Sequence, residues 1–320
     1  MGKKDLFSIG VDLGGTSIKI GLVSKKGEIV KQLCVESKAS EGPKSVVKQI
    51  AYGIEKLLEG NKKNIAGVGI GAPGSVTLKK GIVENPPNFA KWEKVALGSL
   101  LKKKIDMDVF VENDANAAAI GELIFGAGKK FNNFIMITLG TGFGGGIIYD
   151  KKIFRGETGS AGELGHVTIN YAGNKCNCGS FGCVEAYTGN NYLINNVKAE
   201  IEKHKDSKIF EIIENNLDIL SPLHIHQAAL LGDNYAFGVI KRMGQYIGYS
   251  LVSAINILDI STVIVGGGVA GFGNLLFDEI LNTVNERILI PKKGKIKIIP
   301  AMYKNNAGIM GASALVYYRI

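Results

Sequence analysis

Leu13-Gly14-Gly15-Thr16, lying between the apolar runs Leu6–Asp12 and Ile18–Val23, falls without a gap on Leu139-Gly140-Thr141-Gly142 at an offset of 126 residues. Each copy reads as strand, glycine turn, strand, with a threonine in the turn. Lys25-Lys26 lands on Lys151-Lys152 under the same alignment. The repetition points to a duplicated β-hairpin, and so to two similar α/β lobes that each offer a glycine turn to a cleft between them.

The chain around the hairpins alternates. Gly42–Leu58 places Val46, Val47, Ile50, Ile54 and Leu58 at helical spacing. Ile65–Ile70 reads as a buried strand ending at Gly71-Ala72-Pro73-Gly74, and Asp108–Val111 as another. Asn113-Asp114 then caps an Ala-rich helix that starts near Ala115. Downstream, Ala236–Leu258 predicts a long helix, Thr262–Val265 a strand, Leu275–Leu289 a helix, Ile296–Ile299 a strand and Gly308–Tyr317 a closing helix. Strands alternating with helices predict layered α/β architecture. Residues 162–185 are Gly/Asn/Cys-rich and read as an insertion loop.

The chain has 320 residues, 46% apolar and 21% charged, which suits two domains and excludes disordered or fibrous architecture. Gly is in excess at 43 residues, so backbone must turn sharply or approach something closely at many points. The charge balance, 38 − 29 = +9, reads as a solvated lysine surface. Lys102–Lys104 and the group Lys292, Lys293, Lys295 and Lys297 lack the interleaved aromatics of a nucleic-acid binder. No nucleic-acid partner is expected; a nucleotide or phosphosugar is enough anionic company. No apolar stretch reaches membrane-spanning length, since Leu251–Val265 is interrupted by Asn256, Asp259, Ser261 and Thr262. The N-terminus does not read as a signal peptide. Cys34 stands apart from the cluster Cys176, Cys178 and Cys183, a metal pattern more than a disulfide framework, and the expected location is the cytoplasm.

Four constellations carry chemistry. In the turns Gly14-Gly15-Thr16 and Gly140-Thr141-Gly142, backbone N–H groups can converge on an anion, the Thr hydroxyl adds a donor, and Asp12 could hold Mg²⁺ through water. A plain tight hairpin explains either turn alone; the pair favours phosphate. There is no P-loop, and a strand follows Gly142-Phe143-Gly144 where a dinucleotide fingerprint needs a helix. Gly266-Gly267-Gly268 ends a strand, either as a bare turn or as a flat seat for adenine or ribose. Glu112-Asn113-Asp114-Ala115-Asn116 stands at a strand end and helix start. Asp114 there either caps free N–H groups or takes a proton from a substrate hydroxyl. The helix dipole would make it a weak base, which a loose phosphoryl-transfer transition state tolerates. Finally His166, Cys176, Cys178 and Cys183, spaced His-x9-Cys-x-Cys-x4-Cys, match a closed tetrahedral Zn²⁺ site of structural type. Zinc would lock the loop and present Glu163 and Glu185 to sugar hydroxyls.

These motifs resemble the ROK family (repressors, open reading frames, sugar kinases). The likeness runs from Asp12-Leu13-Gly14-Gly15-Thr16 through Leu139-Gly140-Thr141-Gly142 to Gly311-Ala312-Ser313, and Gly162-Glu163-Leu164-Gly165-His166 with Cys176–Glu185 is similar to the family's zinc signature. The resemblance implies an actin/hexokinase-like ATPase fold with two ribonuclease H-like α/β lobes. The lobes would be 1–118 plus 305–320, with the C-terminal helix packed on the first, and 119–304 with zinc loop 162–185. It implies ATP on the hairpins with Mg²⁺, and sugar contacts from Asn88, Asn113, Asp114, Glu163, His166 and Glu185. Asn88-Phe89-Ala90-Lys91-Trp92 departs from the family's usual Gly before Trp.

The implied reaction is ATP-dependent phosphorylation of a hexose 6-hydroxyl, foremost glucose, with Asp114 as base. An N-acetylhexosamine kinase (ManNAc or GlcNAc) and a fructokinase are the alternatives, and polyphosphate stays open as donor. A sugar-responsive regulator would need a DNA-binding module, for which the eleven residues before Asp12 leave no room. A homodimer or homotetramer is expected.

Overall fold

A computed structural model of the chain describes residues 6–319. In chain order come β1 (Phe7–Leu13), β2 (Ser17–Ser24), β3 (Ile29–Glu36), α1 (Pro43–Leu58), β4 (Ile65–Ala72), β5 (Ser75–Thr77), β6 (Ile82–Glu84), β7 (Lys94–Val95), α2 (Leu97–Ile105), β8 (Val109–Asn113) and α3 (Asp114–Ile124). The pattern restarts with β9 (Phe134–Leu139), β10 (Phe143–Tyr149) and β11 (Lys152–Phe154). Four helices follow: α4 (Glu185–Thr188), α5 (Asn190–Glu200), α6 (Lys208–Ile212) and α7 (Pro222–Leu230). Then come α8 (Asn234–Leu258), β12 (Thr262–Gly266), α9 (Asn274–Arg287), β13 (Lys297–Pro300) and α10 (Ala307–Arg319).

The duplication is topological as well as sequential. One five-stranded sheet has the order β3-β2-β1-β4-β8, the other β11-β10-β9-β12-β13. Each opens with an antiparallel hairpin, and β4 and β8, like β12 and β13, join in parallel. Both sheets are therefore mixed. The short sheet β5-β6-β7 lies outside the repeat.

The chain divides into two compact units: one runs to Asn133 and adds Gly146–Gly162 and Ala301–Ile320, the other is Phe134–Gly145 with Glu163–Pro300. A boundary at residue 118 falls inside α3, which continues to Ile124. In the first unit α1 starts on Pro43, whose fixed φ suits a helix's first turn. It buries Val46, Ile50, Ile54 and Leu57 against the apolar core of β1, β2 and β4.

The closing helix α10 returns to this unit and packs on β1, β4 and α3. Part of the glycine excess is used here. A methyl group at Gly10 or Gly69 would overlap the carbonyl oxygen of Ile309 or Ala312 respectively. A methyl on Gly121 would come within 2.8 Å of Gly311 Cα, so α3 and α10 cross backbone to backbone. Close approach, more than unusual φ, explains these positions.

Candidate active site

The first unit gathers its polar groups at the carboxyl end of its parallel strands, the edge where open α/β sheets bind ligands. Register places Asp12 beside Gly71 and Gly71 beside Glu112, so β1, β4 and β8 end in one row. Burial raises the Asp12 carboxyl above its ordinary range, with Lys19 pulling it partly back. A methyl on Gly308 would overlap that carboxyl group, which therefore lies against the first turn of α10.

The turn after β1 is closed by Gly14 N–H donating to Ser17 O at 3.1 Å. Asn88, in the left-handed region at φ 66°, lies against it: a methyl on Gly15 would stand 3.1 Å from Asn88 Cβ. Thr16 is exposed. Asn113 is the N-cap of α3, its Oδ1 accepting from the N–H groups of Ala115 at 3.0 Å and Asn116 at 3.2 Å. Its Nδ2 donates to Gly74 O at 3.1 Å. Because Asn113 does the capping, Asp114 does not have to. Asp114 Oδ1 accepts from Ala115 N–H at 2.8 Å, which orients the carboxylate at the helix start.

Sequence reasoning left Glu112 and Arg155 without a role. Glu112 is buried, its Oε2 held by Arg155 Nη2 at 2.5 Å and Nε at 3.2 Å. Its Oε1 accepts from Asn113 N–H at 3.1 Å. The ion pair thus props the residue that precedes Asp114. The only signal in the sequence was an acidic residue at the end of an apolar strand.

In the second unit Gly140 N–H donates to Gly142 O at 3.0 Å to form the second turn. Gly266 pairs with Thr138 in register. Gly267, at φ 86°, has no room for a side chain because it lies on the backbone of Leu139. Gly268 borders open space. The structure therefore brings Gly266-Gly267-Gly268 to the strand end that leads into Gly140-Thr141-Gly142, an adjacency the sequence did not show.

Glu163 is exposed ahead of the single turn Leu164–His166, and Glu185 is the first residue of α4. Glu185 Oε2 accepts from Phe143 N–H at 2.9 Å. His166, Cys176, Cys178 and Cys183 have donor atoms all within 4.8 Å of one another. Cys178 Sγ lies 3.7 Å from Cys183 Sγ, and Cys176 Sγ 3.7 Å from His166 Nδ1. Sulfurs on a tetrahedral zinc at about 2.3 Å stand about 3.8 Å apart, so the donor set fits that ion.

Burial pushes the Cys183 thiol up to about 12 and raises Cys176, whereas a hydrogen bond from Ser180 N–H lowers Cys178. A cation binding as the thiolate complex must therefore displace protons. The loop around the cluster is held by two isolated bridges, Thr168 with Cys183 and Lys175 with Phe181. Among the described residues no helix is long and apolar enough to cross a membrane.

Comparison with known proteins identifies the family. The ROK family model matches residues 8–319. The glucokinase of Thermotoga maritima is 34% identical over 312 residues, 98% of each chain. A xylose repressor of Caldicellulosiruptor bescii is 33% identical over 317 residues, 98% of this chain and 79% of the repressor. Among solved structures, a ROK family glucokinase from Streptomyces griseus in complex with glucose and AMPPNP superposes with a TM-score of 0.86 at 33% identity, covering 98% of this chain and 99% of that one. With both glycine turns, the Asn113-Asp114 cap and the Cys/His loop falling inside one match that spans nearly its full length, this chain belongs to the ROK family.

Proposed function

We propose that the chain transfers the γ-phosphoryl group of ATP to the 6-hydroxyl of glucose. The observation that carries this reading is Asp114: a carboxylate oriented at a helix start, at the same sheet edge as Asp12 and the Gly14-Gly15-Thr16 turn, in a chain that matches glucokinases end to end.

Sugar hydroxyls would be met by Asn88, Asn113, Asp114, Glu163, His166 and Glu185. Asp114 accepts the proton of the 6-hydroxyl as the oxygen attacks the terminal phosphorus. Its basicity matters less than its position, because phosphoryl transfer is driven by alignment and charge stabilisation. The turns Gly14-Gly15-Thr16 and Gly140-Thr141-Gly142, with the Thr16 and Thr141 hydroxyls, would take the phosphates, and Gly266-Gly267-Gly268 the nucleoside. Mg²⁺ bound with ATP would supply charge neutralisation near Asp12. Zn²⁺ on His166, Cys176, Cys178 and Cys183 would have a structural role, as four protein ligands leave no open position.

A coupled ADP-release assay over glucose, mannose, fructose, N-acetylglucosamine and N-acetylmannosamine, each with ATP or polyphosphate, tests the reading. The highest kcat/KM is expected for glucose with ATP. A preference for an N-acetylated hexosamine or for fructose would move the assignment within the family. No turnover with any sugar would overturn it in favour of a sugar-binding regulator.

A further inference from the structure

The metal ligands and the second glycine turn meet at one residue, Phe143. Gly165 precedes the ligand His166, and a methyl on Gly165 would overlap the carbonyl oxygen of Phe143. Glu185 follows the ligand Cys183 by two residues and accepts the Phe143 N–H at 2.9 Å. A methyl on Gly142 would come within 2.6 Å of the same carboxylate. The two sides are tied together, since Val184 N–H donates to Val167 O at 3.0 Å and Cys183 bridges Thr168. The chain leaving Glu185 holds the turn from behind as well. Asn190 N–H donates to Gly140 O at 3.0 Å, and a methyl on Gly189 would stand 3.1 Å from Thr141 O.

We propose that the Cys/His metal site braces the second glycine turn, so that metal occupancy sets the affinity for nucleotide as well as the shape of the sugar loop. Gly165 and Glu185 are the positioning residues that carry the brace, gripping Phe143 at the C=O of one peptide and the N–H of the peptide before it. Removing the metal frees His166 from Cys183 and lets both grips loosen. The turn then loses the preorganisation that makes converging N–H groups bind phosphate well. The inference rests on reading Gly140-Thr141-Gly142 as a nucleotide turn.

The test uses the full chain with zinc content measured. MgADP affinity is determined by calorimetry without sugar for the zinc-loaded protein, the chelator-stripped protein, Cys178→Ala and Gly165→Ala. Amide exchange is followed over residues 139–148 in parallel. Stripping and Cys178→Ala should weaken MgADP by roughly tenfold or more, the scale of one lost charge-assisted hydrogen bond, and raise exchange across the turn. Gly165→Ala should do the same while keeping its zinc, which a role confined to metal retention would not produce. Unchanged exchange at 139–148 after verified metal loss overturns the brace, even in a protein that binds MgADP well. If the zinc-loaded protein binds no MgADP while the exchange still responds, the nucleotide reading fails and the link to affinity falls with it.

Discussion

Arg155 and Glu112 form a buried ion pair, Nη2 to Oε2 at 2.5 Å, directly beneath the residue that caps α3. Replacing Arg155 with Met leaves a carboxylate that is 2% exposed without its guanidinium. Breaking a buried pair from one side costs about 3 kcal/mol or more. Arg155→Met should therefore lower the melting temperature clearly. It should also lower kcat more than KM for sugar, because Asn113 and Asp114 lose their support. A thermal melt with kinetics on the same preparation checks both; an unchanged melting temperature would show that the pair is solvent-compensated.

Asp114→Asn keeps an oxygen for the Ala115 N–H and leaves the Asn113 cap untouched. Folding and sugar affinity should be preserved. Turnover should fall by about 10²- to 10⁴-fold, the usual contribution of a positioned base. Isothermal titration with glucose and a stopped ADP-release assay separate the two quantities. Turnover within a few-fold of the parent would remove Asp114 from proton transfer.

How much of this was legible in the sequence depends on where each residue's partner lies. The hairpins, the Asn113 cap and the ends of α1 and α8 were readable because apolar period and turn chemistry are local. Strand β3 was not: Lys31 falls on its half-buried face between Ile29 and Leu33, and Val30 and Cys34 fall on the exposed face, so apolar and polar residues do not alternate cleanly along it. The Cys/His spacing announced a metal, yet nothing in it showed that Gly165 and Glu185 would close on Phe143, some 20 and 40 residues back in the sequence. Contacts of that range are decided by packing, and only the repeat itself, aligned strand for strand, gave a long-range hint.

Gly69 shows the same point as a stability prediction. It lies inside the run Ile65–Ile70 that reads as a buried strand, with nothing to mark it out, but in the structure α10 rests on it and a methyl would overlap Ala312 O. Since the obstacle is helix backbone, it cannot swing aside. Gly69→Ala should cost about 1–3 kcal/mol, the usual range for overpacking. Denaturant unfolding should show a lower midpoint with an unchanged slope. Gly60→Ala is the natural contrast in space, as no atom lies within 4 Å of a methyl there, although its φ of 79° adds strain of its own.

Glu122 gives the pH dependence. It is buried in α3, and its two oxygens accept from Ala127 N–H at 2.7 Å and Met302 N–H at 2.9 Å. It thereby ties the helix to the segment that leads into α10. Burial raises its carboxyl above the ordinary range, and the backbone N–H groups of Ala127, Met302 and Tyr303 pull only partly against that. A raised carboxyl contributes its stability below the ordinary carboxylate range and loses it as pH climbs through the raised value. Glu122→Gln cannot titrate. Turning one acceptor oxygen toward a backbone N–H as an amide donor gives it a constant penalty at every pH. The melting temperature of the variant minus that of the parent should therefore be most negative near pH 4 and rise toward pH 8, over the window set by a carboxyl whose ordinary value is about 4.3. A difference that stays flat across that range would mean that the three N–H groups cancel the effect of burial, and that Glu122 ionises in the folded protein as readily as in the unfolded chain.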